Sequence, residues 1–518
     1  MIIDFRTDTT ENNIECDLCI IGAGAAGITI AREFIGTDIN VVMLESGGLE
    51  YSAESQALYE GESPGLQNAS PTACRLRYLG GTTNHWEGWC AQLRESDFKQ
   101  RPWVKNSGWP FQKAELSAWY PKAQSICQVG SFDYQPGTMI NEKHDFPAFD
   151  PNKANIDFFR FSPPTRFGQV YREALEKAAN VRVFLHSNVL SIETDKAASS
   201  TNEIKISTLN GKAGTVRARF YVLACGGMEN PRMLLLSNTA NPAGLGNQHD
   251  LVGRYFLQHI EGNVARILVT NQKKMTRNFK RYSHNNIDAR PEVSLSAQAQ
   301  ETGKILGSGF TIHANEQYGT GYKTLIKLWR DIKKGRWPDE FGDKLWSVIT
   351  DLGAISDDVF KQKSHSMNLY IRAESSPNPE SRITLSDDLD QLGLRKIHVN
   401  WQLTAFDKIS IIESTHRIAE ELGHLNLGRV ELEDWLLEKD NNWPQPLWTG
   451  CHHMGTTRMS DTPETGVVDR NCRIHGMNNL YVAGSSVFPT AGYVPPTLTI
   501  VALALRLSDH LKQQLKNS

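Results

Sequence analysis

His452 and His453 stand side by side in the segment Thr449-Gly-Cys-His-His-Met-Gly-Thr-Thr-Arg-Met459. An imidazole ahead of a glycine-threonine step can act as a general base near neutral pH. Adjacent histidines on an extended segment diverge and no matching Cys, Asp or Glu spacing accompanies them, so no metal is expected here. A second set with chemical meaning is Gly22-x-Gly24-x-x-Gly27, with Ala25 and Ala26 inside the turn and Glu45-Ser46 downstream. Gly22 permits a tight turn, Gly24 lets a pyrophosphate approach the backbone, Gly27 allows a helix to pack on a strand, and Glu45 can take ribose hydroxyls. An acidic residue at that place disfavours a 2'-phosphate, so the pattern points to a dinucleotide other than NADP.

Two further clusters carry reactive or ligand-facing groups. Arg75-Leu-Arg77-Tyr-Leu-Gly-Gly81-Thr82-Thr-Asn84-His85-Trp86 joins small residues to a histidine and a tryptophan, and reads either as a loop approaching a flat ring or as a structural glycine loop. Gly484-Ser485-Ser-Val-Phe-Pro-Thr-Ala-Gly-Tyr493-Val-Pro495-Pro496-Thr497 ends its prolines where a helix begins, as a loop aiming a helix N-terminus at a ligand would.

The elements required to hold these residues are legible. Cys16–Ile21 is a short apolar strand, the helical pattern Ile28, Ala31, Phe34, Ile35 follows the glycine turn, and Asn40–Glu45 is the next strand. Strand, turn, helix and strand within about 30 residues is the setting the dinucleotide fingerprint needs. Strand signals return at 181–185 and 220–224 before Gly226-Gly227, and again at 480–483 before a C-terminal helix, so the nucleotide domain is expected to be discontinuous. Between them, alternating segments such as 366–372 and 395–401 read as a substrate-side lobe. At 518 residues with net charge -3, the chain is long enough for two lobes and gives no reason to expect nucleic acid as partner. No run reaches the roughly 18 to 20 apolar residues of a bilayer span, the N-terminus lacks an apolar targeting core, and the eight cysteines lack framework spacing, which together predict a cytoplasmic protein. Cys16-x-x-Cys19 lies within a strand, where its thiols face opposite sides and serve packing.

Taken in this order the motifs resemble the glucose-methanol-choline family of FAD-dependent oxidoreductases, closest in wording to its pyranose oxidase and sugar dehydrogenase branch. The resemblance rests on Gly22 to Gly27 with Glu45, on Gly80-Gly81-Thr82-Thr83-Asn84, on the strand ending Leu223-Ala224-Cys-Gly226-Gly-Met-Glu-Asn-Pro231, on His452-x-x-Gly455-Thr456 and on the C-terminal loop and helix. It implies an α/β fold, with a Rossmann-like FAD-binding domain over 14–264 and 445–518 and a substrate domain over 265–444 built on an antiparallel β-sheet with helices. It implies hydride transfer from a CH-OH group of a sugar, glycoside or other alcohol to flavin N5, with His452 as base and His453 beside it. The cofactor contacts it implies are Gly22, Gly24, Ala25, Ala26, Gly27, Glu45, Ser46, Arg77, Gly81, Thr82, Asn84, His85, Val189, Ala224, Gly226, Gly484, Ser485, Pro496 and Thr497, and His85 is the position at which some relatives bond the flavin covalently.

The pattern breaks at Pro495, where the family has Asn or His, and proline offers no donor. Tyr493 and His453 are the expected substitutes. The alternative is a specialised flavoenzyme performing desaturation, C-N oxidation or redox-neutral chemistry. An electron-acceptor partner is implied, and the basic amphipathic stretch 322–334 reads as a helix on its own domain, a lid, or a peripheral contact with a membrane or partner.

Overall fold

Strands buried on both faces read as unbroken apolar runs, and Val41–Leu44 and the end of Asn13–Ile21 are of this kind because helices cover both sides of the sheet they enter. The structure is a computed structural model that describes residues 1–8, 11–66, 70–134, 139–140, 144–284, 287–314, 366–438, 442–444 and 447–517. Its first sheet has eight strands in the order Ile2–Asp4, Val181–Leu185, Val41–Leu44, Asn13–Ile21, Ala213–Leu223, Thr201–Ser207 and Asn188–Thr194, with Leu480–Val482 alongside Ala213–Leu223. Pairs from Ile2–Asp4 through Ala213–Leu223 are parallel and the remaining two antiparallel, and Tyr221 to Leu223 pair with Leu480 to Val482 in parallel register, so residues from distant parts of the chain share one sheet. The polar N-terminus also contributes: Ile2 to Asp4 pair with Val183 to Leu185, an edge strand too short to register as a pattern.

A second, antiparallel sheet runs Gly428–Leu432, Ile260–Val269, Ser366–Ala373, Ser308–Ala314, Ile287–Leu295, Ala154–Phe161 and Trp89–Cys90, with Tyr282–His284 against Ile287–Leu295. Ala154–Phe161 and Trp89–Cys90 lie inside the segment 14–264, yet they pair in this sheet, Ala154 through Arg160 opposite Leu295 through Ala289. The alternating segment Arg395–Asn400 enters a separate small sheet with Arg382–Leu389 and Gly61–Glu62. The architecture is α/β: a Rossmann-like half and a half based on an antiparallel sheet. Helix Ala25–Glu33 packs against the C-terminal helix Thr497–Asn517 within the larger apolar core, so both helices that start at the glycine-rich loops are anchored by burial of residues such as Ile28, Ile30, Val501 and Leu505. The stretch 322–334 lies outside the described residues. Among the described residues no helix is long and apolar enough to cross a membrane.

Candidate active site

A cavity of ≈ 1010 Å³ runs from the glycine turn to the face of the antiparallel sheet. Its near end is built from backbone. Gly22 has φ +104, and a Cβ there would stand 2.8 Å from the Ala224 carbonyl oxygen, so only glycine lets the two strand ends meet. A Cβ on Gly27 would land on the Gly22 carbonyl oxygen, which makes Gly27 the residue that seats helix on strand. Gly24 differs, because a Cβ there meets nothing within 4 Å and the open space is the cavity itself. Helix Ala25–Glu33 begins at Gly24 without a side-chain cap, leaving its first N–H groups directed at whatever the cavity holds. Glu45 is held from behind: Oε2 accepts from the Ala23 N–H at 3.1 Å and Oε1 from the Gly47 N–H at 2.8 Å, leaving spare lone pairs for a ligand.

Arg75, Arg77 and Arg232 surround Glu229 beneath the same wall. Burial pushes the Glu229 carboxyl up, but Arg232, Arg75 and Arg77 together pull it down to about 2. Arg232 also pairs with Asp390 at 2.7 Å, so three cations face two carboxylates and one positive charge is left over, and the buried Arg77 Nε has no hydrogen-bond partner among the described residues. A wall with these properties suits a diphosphate.

The far end is built from side chains of distant segments. His452 lies inside the protein with its Nδ1 2.9 Å from Nδ1 of His259, while Nε2 makes no hydrogen bond among the described residues. His259 in turn meets the Gly492 carbonyl oxygen through Nε2 at 3.0 Å. Glu261, two residues further on in the strand that begins at Ile260, accepts from Arg372 Nε at 3.1 Å and from the Tyr370 hydroxyl at 3.3 Å. Burial lowers the His452 pKa to about 4, with Glu261 opposing and Arg372 adding to the effect, so the ring is neutral at pH 7. Ligand atoms of His259, Glu261 and His452 lie within 4.8 Å of one another. The 2.9 Å Nδ1–Nδ1 separation is that of a shared proton. Two nitrogens on one tetrahedral zinc, each bonded at about 2.0 to 2.1 Å, would stand about 3.3 Å apart.

A family description for FAD dependent oxidoreductases matches residues 17–242, and that for GMC oxidoreductases matches residues 377–504. The chain belongs to the GMC oxidoreductases. Among curated relatives of this GMC oxidoreductase, 2-methyl-1,2-propanediol dehydrogenase of Mycolicibacterium austroafricanum is 23% identical over 97% of this chain and 96% of its own. The 6'''-hydroxyparomomycin C oxidase of Streptomyces lividus is 25% identical over 96% and 92% respectively. Of solved structures, pyridoxine 4-oxidase from Mesorbium loti matches with TM-score 0.53 at 15% identity, covering 96% of this chain and 99% of that one, and a formate oxidase with TM-score 0.55 at 14% identity, covering 98% and 100%. These two likenesses speak for the fold.

FAD is therefore the cofactor of this GMC oxidoreductase, and the residues fit it. Of the contacts expected from sequence, Gly22, Gly24, Ala25, Ala26, Glu45, Ser46, Arg77, Gly81, Thr82, His85, Val189, Ala224, Gly226, Gly484, Ser485, Pro496 and Thr497 line the cavity. Gly27 lies behind the turn as a packing residue. Asn84 is likewise structural and off the cavity wall, its Nδ2 donating to the Leu79 carbonyl at 2.9 Å to hold the short turn Gly81–Asn84. The exposed His85 stands beside Trp86 on the cavity mouth.

Tyr493 does not line the cavity. Its ring is 1% exposed, its hydroxyl donates to Asp157 and accepts from Arg94 Nη2 at 3.0 Å, and burial, with Arg94 opposing, holds its pKa well above the usual value. That polar lock on the antiparallel sheet explains why a tyrosine so near Pro495 in sequence points away from it. His453 reaches the wall but stacks on Phe256 and contacts Cys74 Sγ through Nε2 at 3.5 Å. Burial first, then Arg75 and His452, lower its pKa to about 3. Sequence reasoning missed His259, Glu261, Arg372, Arg290 and Trp89, all on the cavity wall or touching His452. Only the run Gln258-His259-Ile260-Glu261 at a strand start could have drawn attention.

Proposed function

We propose that this enzyme oxidises a CH-OH group of a small polyol, sugar or glycoside, with His452 as the base that takes the hydroxyl proton. The observation that carries this reading is a neutral imidazole, fixed at Nδ1 and bare at Nε2, on the wall of the cavity that Pro495, Pro496 and Thr497 also line. FAD, when bound, supplies the two-electron acceptor for the oxidation. The chain's own part is to position and exclude: Trp89, Tyr370 and Trp448 offer flat faces to a sugar ring, Arg290 and Arg372 offer guanidinium donors, and Glu261 and the Thr311 hydroxyl, whose hydrogen goes to Glu292, offer acceptors. Dehydrogenation of alcohols by two relatives of near-complete coverage, the propanediol dehydrogenase and the Gluconobacter japonicus fructose dehydrogenase large subunit, supports the same substrate class.

On this reading 14–264 and 445–518 hold the cofactor and 265–444 faces the substrate, except that Trp89–Cys90, Ala154–Phe161 and the start of Ile260–Val269 serve the substrate sheet and His452 reaches the substrate from 445–518. A covalent histidyl link is compatible with His85 at the mouth: colour kept in acid-precipitated protein would establish it, and colour released to the supernatant would exclude it.

A second reading is favoured by one observation. Pro495 lines the cavity without a donor and Tyr493 is committed elsewhere, so the substrate oxygen has one imidazole partner where relatives resembling the motif have two. Desaturation, C-N oxidation or a redox-neutral reaction needs no second partner. Anaerobic mixing with sugars, glycosides, polyols and amines separates the readings. Bleaching of the oxidised flavin band by an alcohol, abolished in His452→Ala with flavin retained, is the expected result, and bleaching by none of the alcohols overturns it. Subsequent admission of air, with or without an added acceptor, tells oxidase from dehydrogenase.

A further inference from the structure

Hydrogen-bond bookkeeping at the paired rings determines which nitrogen of His452 is bare. The Gly492 carbonyl can only accept, so His259 Nε2 at 3.0 Å must carry a hydrogen. A neutral imidazole has one N–H, which leaves His259 Nδ1 as an acceptor. His259 is neutral in this setting, since it is 0% exposed and the groups facing it are His452 and Arg372, with Glu261 committed to Arg372 and Tyr370. The two rings meet edge to face, 4.9 Å between centroids at 78°, with the Nδ1 atoms 2.9 Å apart. The proton between them therefore belongs to His452. Its Nδ1 is protonated and its Nε2 carries the lone pair.

The carbonyl that starts this chain of consequences is itself fixed. Gly492 has φ +59, and a Cβ there would come within 2.7 Å of Leu93 and 2.9 Å of the Asp97 carboxylate, so the loop cannot present that carbonyl with another residue in its place. The same C-terminal loop places Pro495 on the cavity wall.

We propose that His259 is a positioning residue which, anchored on the Gly492 carbonyl, fixes His452 in the Nδ1–H tautomer and shares the positive charge that His452 gains. This deepens the alcohol-oxidation reading and rests on it. In the step concerned the substrate O–H bond breaks and an Nε2–H bond forms. His452 becomes an imidazolium whose Nδ1–H donates to the neutral His259 ring, a charge-assisted bond about twice as strong as its neutral form. Where a second side chain is missing at Pro495 beside the substrate oxygen, the loop acts instead on the far side of the base, through a backbone carbonyl and a buried ring.

The test uses the FAD-loaded protein labelled with 15N-histidine. His452, assigned by loss of its signals in His452→Ala, is expected to show a protonated Nδ1 and a bare Nε2 in wild type, and a mixture of tautomers in His259→Leu. In turnover, with the alcohol that bleaches the flavin fastest, His259→Leu should lower kcat/KM about 10- to 100-fold, the range known for partners that orient metal-bound histidines. His259→Asn, whose Oδ1 can stand in for the accepting Nδ1, should recover most of that loss. A protonated Nε2 in wild type, unchanged kcat/KM in His259→Leu, or 15N signals that move on treatment with a chelator would each overturn the proposal. If His259→Leu fails to fold, the wild-type spectrum and His259→Asn still decide it. Turnover that survives His452→Ala would instead remove the base assignment on which the proposal stands, and the spectrum would still report the tautomer.

Discussion

At the glycine-turn end of the cavity the protein presents backbone: N–H groups of an uncapped helix, open space over Gly24 and a glutamate held by two backbone donors. At the other end it presents side chains drawn from six stretches of sequence, around Trp89, Glu261, Arg290, Thr311, Tyr370 and His452. The first end recognises a fixed molecule by sterics that are local in sequence. The second recognises a variable molecule by charges and rings that only the fold brings together, and it is the end where relatives with such different named substrates must differ.

Four expected outcomes probe that contrast, from the largest effect to the smallest. His452→Ala should cut turnover by about 10²- to 10⁴-fold, the usual worth of a general base, while the flavin absorbance per protein stays at the wild-type value. Loss of flavin in that variant would mean the two ends are not separable. Next, Gly27→Ala and Gly24→Ala should part company. The first drives a methyl into the Gly22 carbonyl and should cost stability of about 1–3 kcal/mol or more, seen as a lower Tm even in cofactor-free protein. The second meets only cavity, so cofactor-free Tm should hold while flavin retention falls. Equal Tm losses would erase the distinction between packing and ligand glycines.

Glu45→Gln should weaken FAD binding by about 1–3 kcal/mol, roughly ten- to a hundred-fold in Kd, because one oxygen that accepts from a backbone N–H becomes a donor. Equilibrium dialysis of the flavin would show it, with kcat at saturating FAD unaltered.

The effect that is nil at neutral pH, and so smallest under working conditions, is one of pH. Burial holds His452 at about 4 and His453 at about 3, and His259 is also lowered, whereas histidines of the unfolded chain titrate near about 6.5. As pH falls the unfolded state takes up protons first. The contribution of these rings to stability is complete above about 6.5 and is lost as pH falls towards about 4 and then about 3. Tm measured against pH should decline over that window, and kcat/KM should hold its plateau down to about 4, below the ordinary histidine range. A limb near 6.5 in both would show that His452 is solvated in the working enzyme.

The same contrast explains what could be read from the sequence. Gly22, Gly24, Gly27 and Glu45 were legible because each answers a steric or hydrogen-bonding demand set by residues within one turn-and-strand unit. The place of His452 on the cavity wall was legible through its neighbours in the motif. Tyr493 misled because proximity in sequence to Pro495 says nothing about side-chain direction, which the Asp157–Arg94 lock decides from another sheet. Asn84 misled because a polar side chain in a glycine loop can as well close the loop's own turn. His259, Glu261 and Arg372 were invisible because their meeting depends on antiparallel pairing of Ile260–Val269 with Ser366–Ala373, a register no local pattern specifies.

The parallel pairing of Leu480–Val482 with the strand that ends at Leu223 has a consequence for biosynthesis. The glycine turn leaves the ribosome early, yet the strand beside its sheet, the loop from Gly484 and the helix packed on Ala25–Glu33 are made after nearly everything else. Until they arrive the nascent chain has a nucleotide turn but no enclosed pocket. Enclosure of the pocket therefore waits on the synthesis of Leu480–Val482 and Thr497–Asn517, and the sheet edge and helix they cover stay open to solvent for most of translation.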